Sequence, residues 1–264
     1  MKRKLIQYLR TVKVILFITI RRGLPYIIHY VSLRLRKQPI EAFFRFSFLF
    51  SNKRGVEIGG PSKIFLPKGI FPVISVSKEV DNVNYREKTI WGETNSHFYR
   101  KTIICEAASL KPIKDKEYDF LITSNVIEHL ANPLKAFLEW KRIIKSGGIM
   151  LIVFPNKDLT FDHRRRPTTI DHIIDDFKNN VDEQDLSHLI EIIELHDITL
   201  DPYAGTFKDF IIRSLKNYEY RCLHHHVFTL SSLIKLLKEF LGMEIIYANE
   251  IPLNNLIIIA RRID

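Results

Sequence analysis

The residue types best suited to chemistry are concentrated in one stretch, since seven of the ten histidines lie between positions 163 and 226. It opens with Thr160-Phe161-Asp162-His163-Arg164-Arg165-Arg166-Pro167, continues through Asp185, His188, His196, Asp197 and Asp201, and ends with Arg213, Asn217, Arg221 and His224-His225-His226. An imidazole titrates near neutral pH and takes a proton when a neighbouring carboxylate fixes its orientation. The candidate proton acceptors are therefore His163 and one of His224, His225 and His226, with His225 chosen, and Asp162 or Asp197 is the orienting carboxylate. For His172, His188 and His196, each in a helical-looking stretch beside apolar residues, the preferred reading is a satisfied structural histidine. Arg164, Arg165 and Arg166 either face an anionic group or form a solvated charge run. A divalent ion gripping vicinal hydroxyls is compatible with these Asp and His residues, but no spacing requires one, so no metal ligands are assigned.

The elements that position these residues follow from periodicity. From Arg54 onward, apolar strands alternate with helical or loop crossovers, the pattern of a doubly wound sheet. Gly55-Val56-Glu57-Ile58-Gly59-Gly60-Pro61-Ser62 reads as a first strand running into a glycine turn where backbone can approach a ligand closely. Pro72–Val76 reads as the next extended run, too close to Gly60 for a long crossover helix. Tyr118–Asn125 is a buried strand; the helix Asn132–Ile144 follows, stopped by Lys145-Ser146-Gly147-Gly148, and Ile149–Phe154 is another buried strand. Thr229–Phe240 predicts an amphipathic helix, ahead of two short strands at Met243–Tyr247 and Leu256–Ala260.

Charge is distributed unevenly. The formal net charge is +10, yet residues 1–54 hold thirteen Lys/Arg against the single acid Glu41. The remainder is nearly neutral, unlike an enzyme whose substrate groove must track nucleic acid, so no nucleic-acid partner is expected. Basic residues interleave with Leu5, Leu9, Val12, Leu16 and Ile20 at helical spacing. Arg34-Leu35-Arg36-Lys37 then precedes Phe43, Phe44, Phe46, Phe48 and Phe50. Two readings stand: attachment of residues 1–50 to a membrane surface, or a helical lid packing its aromatics on the main domain. No convincing transmembrane span or secretory signal is present. Cys105 and Cys222 are too few for a disulfide framework and read as buried small residues of a reducing compartment. The expected location is the cytoplasm, free or peripheral on the membrane's cytoplasmic face.

The block YDFLITSNVIEHLANPLKAFLEWKRIIKSGGIMLIVFPN closely resembles the fourth-to-fifth-strand region of class I S-adenosylmethionine-dependent methyltransferases, in which strand, acidic-His turn, helix and Lys-x-Gly-Gly turn recur in that order. The resemblance covers roughly residues 54–156 and 226–262. It implies a Rossmann-like doubly wound α/β sheet in residues 54–264, a basic N-terminal helical extension over 1–53, and a mainly helical insertion at about 157–225 that shapes the substrate pocket. It also implies the cofactor S-adenosylmethionine, with Glu57, Gly59 and Gly60 at the methionine end, Asp81 on the ribose hydroxyls, Glu106 and Ala107 beside the adenine, and Asn125 lining the crevice. The family's Gly-x-Gly-x-Gly is reduced here to Gly59-Gly60, which puts cofactor binding in question. DHRRRPTT and HHHVF resemble bacterial methyltransferase-domain proteins associated with surface-polysaccharide synthesis. The function implied is O-methylation of a sugar or glycan intermediate, with small-molecule or lipid acceptors close behind. The rival is a catalytically inactive, membrane-associated methyltransferase-like binding module, favoured by the reduced glycine loop and disfavoured by the concentration of Asp and His.

Overall fold

A computed structural model describes residues 2–36 and 38–264; Met1 and Lys37, the latter part of the second basic cluster, lie outside the described residues, as do the side chains of Lys2, Arg3 and Arg34. The main sheet has seven strands: β1 (Arg54–Ile58), β2 (Glu79–Asn84), β3 (Thr102–Ile104), β4 (Tyr118–Ser124), β5 (Ile144–Pro155), β6 (Met243–Ile251) and β7 (Asn255–Arg262). Their spatial order is β3-β2-β1-β4-β5-β7-β6. The first five pair in parallel, while β7 runs antiparallel between β5 and β6. This is the mostly parallel, doubly wound sheet expected of the class I methyltransferase type.

Both sheet faces are buried, so the central strands read as nearly continuous apolar runs. On β4, Leu121 joins one core and its neighbours Phe120 and Ile122 join the other, as the two-residue period requires. The first core is closed by Leu134, Phe137 and Trp140 of the helix Pro133–Ile143 and by Leu233, Leu236 and Leu237 of the C-terminal helical segment. Asn132 caps the helix Pro133–Ile143 by accepting from the Lys135 N–H, and Pro133 sits in the first turn.

The second core is closed differently. Between β1 and β2 the chain forms only the four-residue helix Val73–Val76, so the expectation of an extended run there is corrected, and the second strand is Glu79–Asn84 itself. A crossover this short covers little of the sheet. Phe43, Phe46 and Phe50, from the helix Glu41–Phe46 and the turn after it, supply the missing cover, with Phe50 edge-on to Phe71 and Phe120. Those three aromatics are packing residues, while Phe44 and Phe48 stay exposed. Strand β5 is also longer than expected, because it begins at Ile144, directly after the helix Pro133–Ile143.

The leading segment forms two helices, Lys2–Arg22 and Leu24–Arg36, broken at Gly23, whose φ of +84° is open to glycine. Ile18 is buried against Ile27 and Leu159, and the Arg10 guanidinium donates to the carbonyls of Asp201 and Gly205. Leu5, Leu9, Leu16, Ile20 and Leu24 are each more than half exposed. Among the described residues, no helix is long and apolar enough to cross a membrane.

Candidate active site

A cavity of about 540 Å³ opens at the carboxyl ends of the parallel strands, where doubly wound sheets bind their ligands. Its floor is the turn after β1. Gly59 has φ +80°, and a Cβ there would meet Val126 Cγ2 at 2.4 Å. At Gly60 a Cβ would meet Glu57 Cδ at 2.6 Å and Asn82 Oδ1 at 2.8 Å, so neither position admits a side chain without displacement. Three side chains from behind hold the turn. Asn82 and Asn84 donate to the Gly60 carbonyl at 3.2 and 2.9 Å, and Glu57 accepts from the Ser62 N–H at 2.9 Å.

Five of the seven expected cofactor residues line this wall: Gly59 and Gly60 in the turn, Glu106 and Ala107 after β3, and Asn125 after β4. Asn125 adopts φ +54°, a left-handed conformation that asparagine tolerates better than most residues.

The other two are elsewhere. Glu57 is fully buried beneath the turn, its carboxylate also taking the Tyr99 hydroxyl, and burial pushes its pKa up to about 7 despite those donors. It shapes the turn rather than meeting the ligand's charge. Asp81 lies in the middle of β2, paired in register with Val56, and its carboxylate is occupied by Arg54, Arg100 and the Tyr118 hydroxyl. It does not reach the cavity. Placing the second strand too early displaced its expected end, which is Asn84, followed by Tyr85 on the cavity wall.

The opposite wall belongs to the segment between β5 and the C-terminal helix, the stretch expected as an insertion. His224 lines the cavity, and its Nδ1 lies 2.5 Å from Oδ2 of the buried Asp162, whose Oδ1 receives Arg165 at 3.3 Å. Burial alone would raise the Asp162 carboxyl; His224 and Arg165 outweigh it and hold the pKa at about 2. Burial lowers the His224 imidazole, but Asp162 and Glu128 reverse this and leave it above its ordinary value. Beside it stands His129, whose Nδ1 donates to the Leu223 carbonyl at 2.9 Å, leaving Nε2 with the lone pair. Glu128 also lines the cavity, and neither of its oxygens has a hydrogen-bond partner. Burial raises its pKa to about 7.

His163 and His225 do not line this cavity. His163 contacts Asp197 at 3.2 Å and packs on Phe17 of the N-terminal helix, with ring centroids 5.0 Å apart. His225 faces the interior, 2.9 Å from the Asn217 amide, and burial lowers its pKa to about 4. Of the three consecutive histidines, His224 is the one that lines the cavity. Arg165 is buried, donating to Asp162, Glu191 and the carbonyls of His224 and His225, so it holds the insertion rather than an acceptor. Cys105 and Cys222 both edge the cavity, and burial raises each thiol to about 11, which keeps them protonated.

Sequence reasoning passed over Glu128, His129 and Asn84. The acidic-His turn was a visible signal for the first two; only the position of the strand end singles out Asn84. The roof adds Trp91, from the small hairpin Lys88–Thr89/Gly92–Glu93, edge-on to Tyr203 of the insertion at 5.7 Å.

Residues 72–152 match a family model described as a methyltransferase domain. Two uncharacterized proteins of Methanocaldococcus jannaschii are similar: one is 32% identical over 106 residues, covering 40% of this chain and 46% of the relative, and the other 42% identical over 55 residues, covering 21% and 24%. The chain thus spans less than half the length of the curated relatives it matches. Solved structures that superpose include a methyltransferase from Mesorhizobium loti (TM-score 0.49, 12% identity, 84% of this chain and 96% of that one). Another, from Aquifex aeolicus, gives TM-score 0.48 at 13% identity over 84% and 88% of the two chains. The strand order and the cavity at the strand ends give this chain a Rossmann-like, doubly wound sheet of the methyltransferase type, and residues 72–152 within it match the methyltransferase-domain model.

Proposed function

We propose that the protein is an S-adenosylmethionine-dependent methyltransferase acting on a hydroxyl of a sugar or glycan intermediate, with His224 as proton acceptor. The observation that carries this reading is one cavity in which a glycine turn at the end of β1 faces an Asp162–His224 pair. The residues present fit the cofactor: the turn offers close backbone approach, Asn84 and Tyr85 stand at the end of β2, and Glu106 and Ala107 follow β3. When bound, the cofactor supplies an electrophilic methyl group on a sulfonium, which leaves as a neutral thioether.

The chain's task is orientation and proton transfer. As the acceptor oxygen forms its bond to carbon, its proton passes to His224, whose ring is fixed by Asp162, and the resulting imidazolium is stabilised by that carboxylate. Glu128 accepts a hydrogen bond from a second hydroxyl, which suits a polyhydroxylated acceptor. The N-terminal helices, rich in cations and carrying exposed leucines, support peripheral attachment to an anionic membrane face where lipid-linked glycans are handled.

Isothermal titration with S-adenosylmethionine comes first, since absence of binding leaves the non-catalytic module as the better account. Incubation with labelled cofactor and nucleotide sugars, polysaccharide or lipid-linked glycans then tests the acceptor class. Flotation of the full chain with anionic and neutral vesicles tests attachment, and equal recovery with both removes it.

A further inference from the structure

A second cluster of histidines lies outside the cavity. His172 and Asp176 stand one turn apart on the helix Ile170–Lys178, His188 immediately precedes the helix Leu189–Leu195, and His226 lies in the extended segment before Leu230–Lys235. None of the four lines the cavity. One ligand-capable atom from each lies within 4.8 Å of all the others. The closest approaches are 3.0 Å between the Nε2 atoms of His172 and His188, 3.4 Å from His172 Nε2 to Asp176 Oδ2, and 3.6 Å from His226 Nε2 to that same oxygen. Ligands of a tetrahedral zinc ion with bonds of ~2.0 Å stand about 3.3 Å apart.

We propose that His172, Asp176, His188 and His226 form a zinc site that pins the insertion to the segment entering the C-terminal helix.

Three imidazoles and one carboxylate make a nitrogen-rich set of borderline softness, which suits zinc over magnesium or calcium. Without a cation the cluster is poorly satisfied. Asp176 Oδ2 is buried without a hydrogen-bond partner, and His226 Nε2 has only the Ala131 carbonyl, at a long 3.3 Å. Such an orphaned carboxylate oxygen is costly unless something converges on it. Glu183, between the helix bearing Asp176 and His188, lines the cavity, so an ion here would stiffen one wall without touching the reacting groups.

The test uses the full chain with any affinity tag removed, stripped with a chelator, incubated with zinc alone, desalted and assayed by plasma mass spectrometry. One zinc per chain is expected, with a higher Tm than the stripped protein and, after cobalt exchange, the absorption of a tetrahedral site. His172→Ala, at the most exposed ligand, should weaken zinc binding by roughly 100-fold or more, and His188→Ala likewise, while His224→Ala keeps the metal. Folded wild-type protein that retains no zinc would overturn the proposal. So would zinc that survives both ligand substitutions, or zinc lost from His224→Ala and kept by His172→Ala, which would place it at the cavity. Because the readout is metal content, failure here is separate from failure to bind S-adenosylmethionine.

Discussion

The two walls of the cavity are built by different means. The strand-end wall is backbone held in place: Gly59 and Gly60 admit no Cβ, and Asn82, Asn84 and Glu57 tether the turn from behind. The insertion wall is side-chain charge arranged in pairs, Asp162 with His224 and Asp201 with Arg213 at 2.6 Å. A wall of fixed backbone discriminates by shape, whereas a wall of coupled titratable groups moves protons and senses pH. If that contrast is right, substitutions on the two walls should fail in separable ways.

The largest separation is expected at His224. His224→Ala should lower kcat by roughly 10²–10⁴, the usual worth of a positioned general base, and leave the cofactor Kd nearly unchanged in calorimetry. A variant that kept wild-type turnover would end the His224 assignment. Because the base must be neutral, and Asp162 holds His224 above its ordinary pKa, the rate should rise with pH beyond the range of a free histidine. Asp162→Asn should shift that rise to lower pH while reducing the maximum.

Glu128 offers a readout in stability. Its folded pKa is raised to about 7 from 4.5, so the folded state binds the proton more tightly. Its contribution is therefore complete below pH 4.5 and is lost as pH rises through 7, a change on the order of 3 kcal/mol. Glu128→Gln should flatten this part of the profile in urea unfolding between pH 5 and pH 8. An unchanged slope would mean that Glu128 is not the buried acid responsible.

On the other wall, Gly60→Ala forces a Cβ against Glu57 and Asn82, and overpacking of this kind costs about 1–3 kcal/mol. Cofactor affinity should fall by roughly tenfold to a hundredfold. In the variant with bound cofactor, kcat should stay close to wild type. Loss of kcat with intact affinity would invert the division between the walls.

The same contrast explains what was legible in the sequence. Tyr118–Asn156 was readable because two-residue and 3.6-residue periods, an Asn-Pro cap and a Gly-Gly turn agree there in register. Asp81 was misplaced because Pro72–Val76 is apolar enough to pass for a strand, and shifting a strand by a few residues moves its functional end from Asn84 to a buried ion-paired position. The phase of His224-His225-His226 depends on which side the preceding turn at Arg221 directs the chain, a φ of +52° that no periodicity encodes. The phenylalanines of the leading segment showed as aromatic anchors without revealing that a shortened crossover had left a sheet face for them to cover.

The smallest effect is expected where the walls meet. Arg221 of the insertion reaches across to Glu106 at 2.8 Å, stacks its guanidinium 5.3 Å from the Tyr85 ring, and touches Glu183 at 3.4 Å. This looks like a latch, yet the Glu106 side chain is 50% exposed, so water screens the pair and ordering two long side chains offsets much of the attraction. A double-mutant cycle with Glu106→Gln and Arg221→Gln, read by urea unfolding, should give a coupling below about 1 kcal/mol that shrinks with added salt. The insertion would then be held to the sheet chiefly by its buried contacts and free to shift at its edge as an acceptor enters. A coupling above about 2 kcal/mol, insensitive to salt, would instead make the bridge a rigid joint, and the two walls a single unit rather than two.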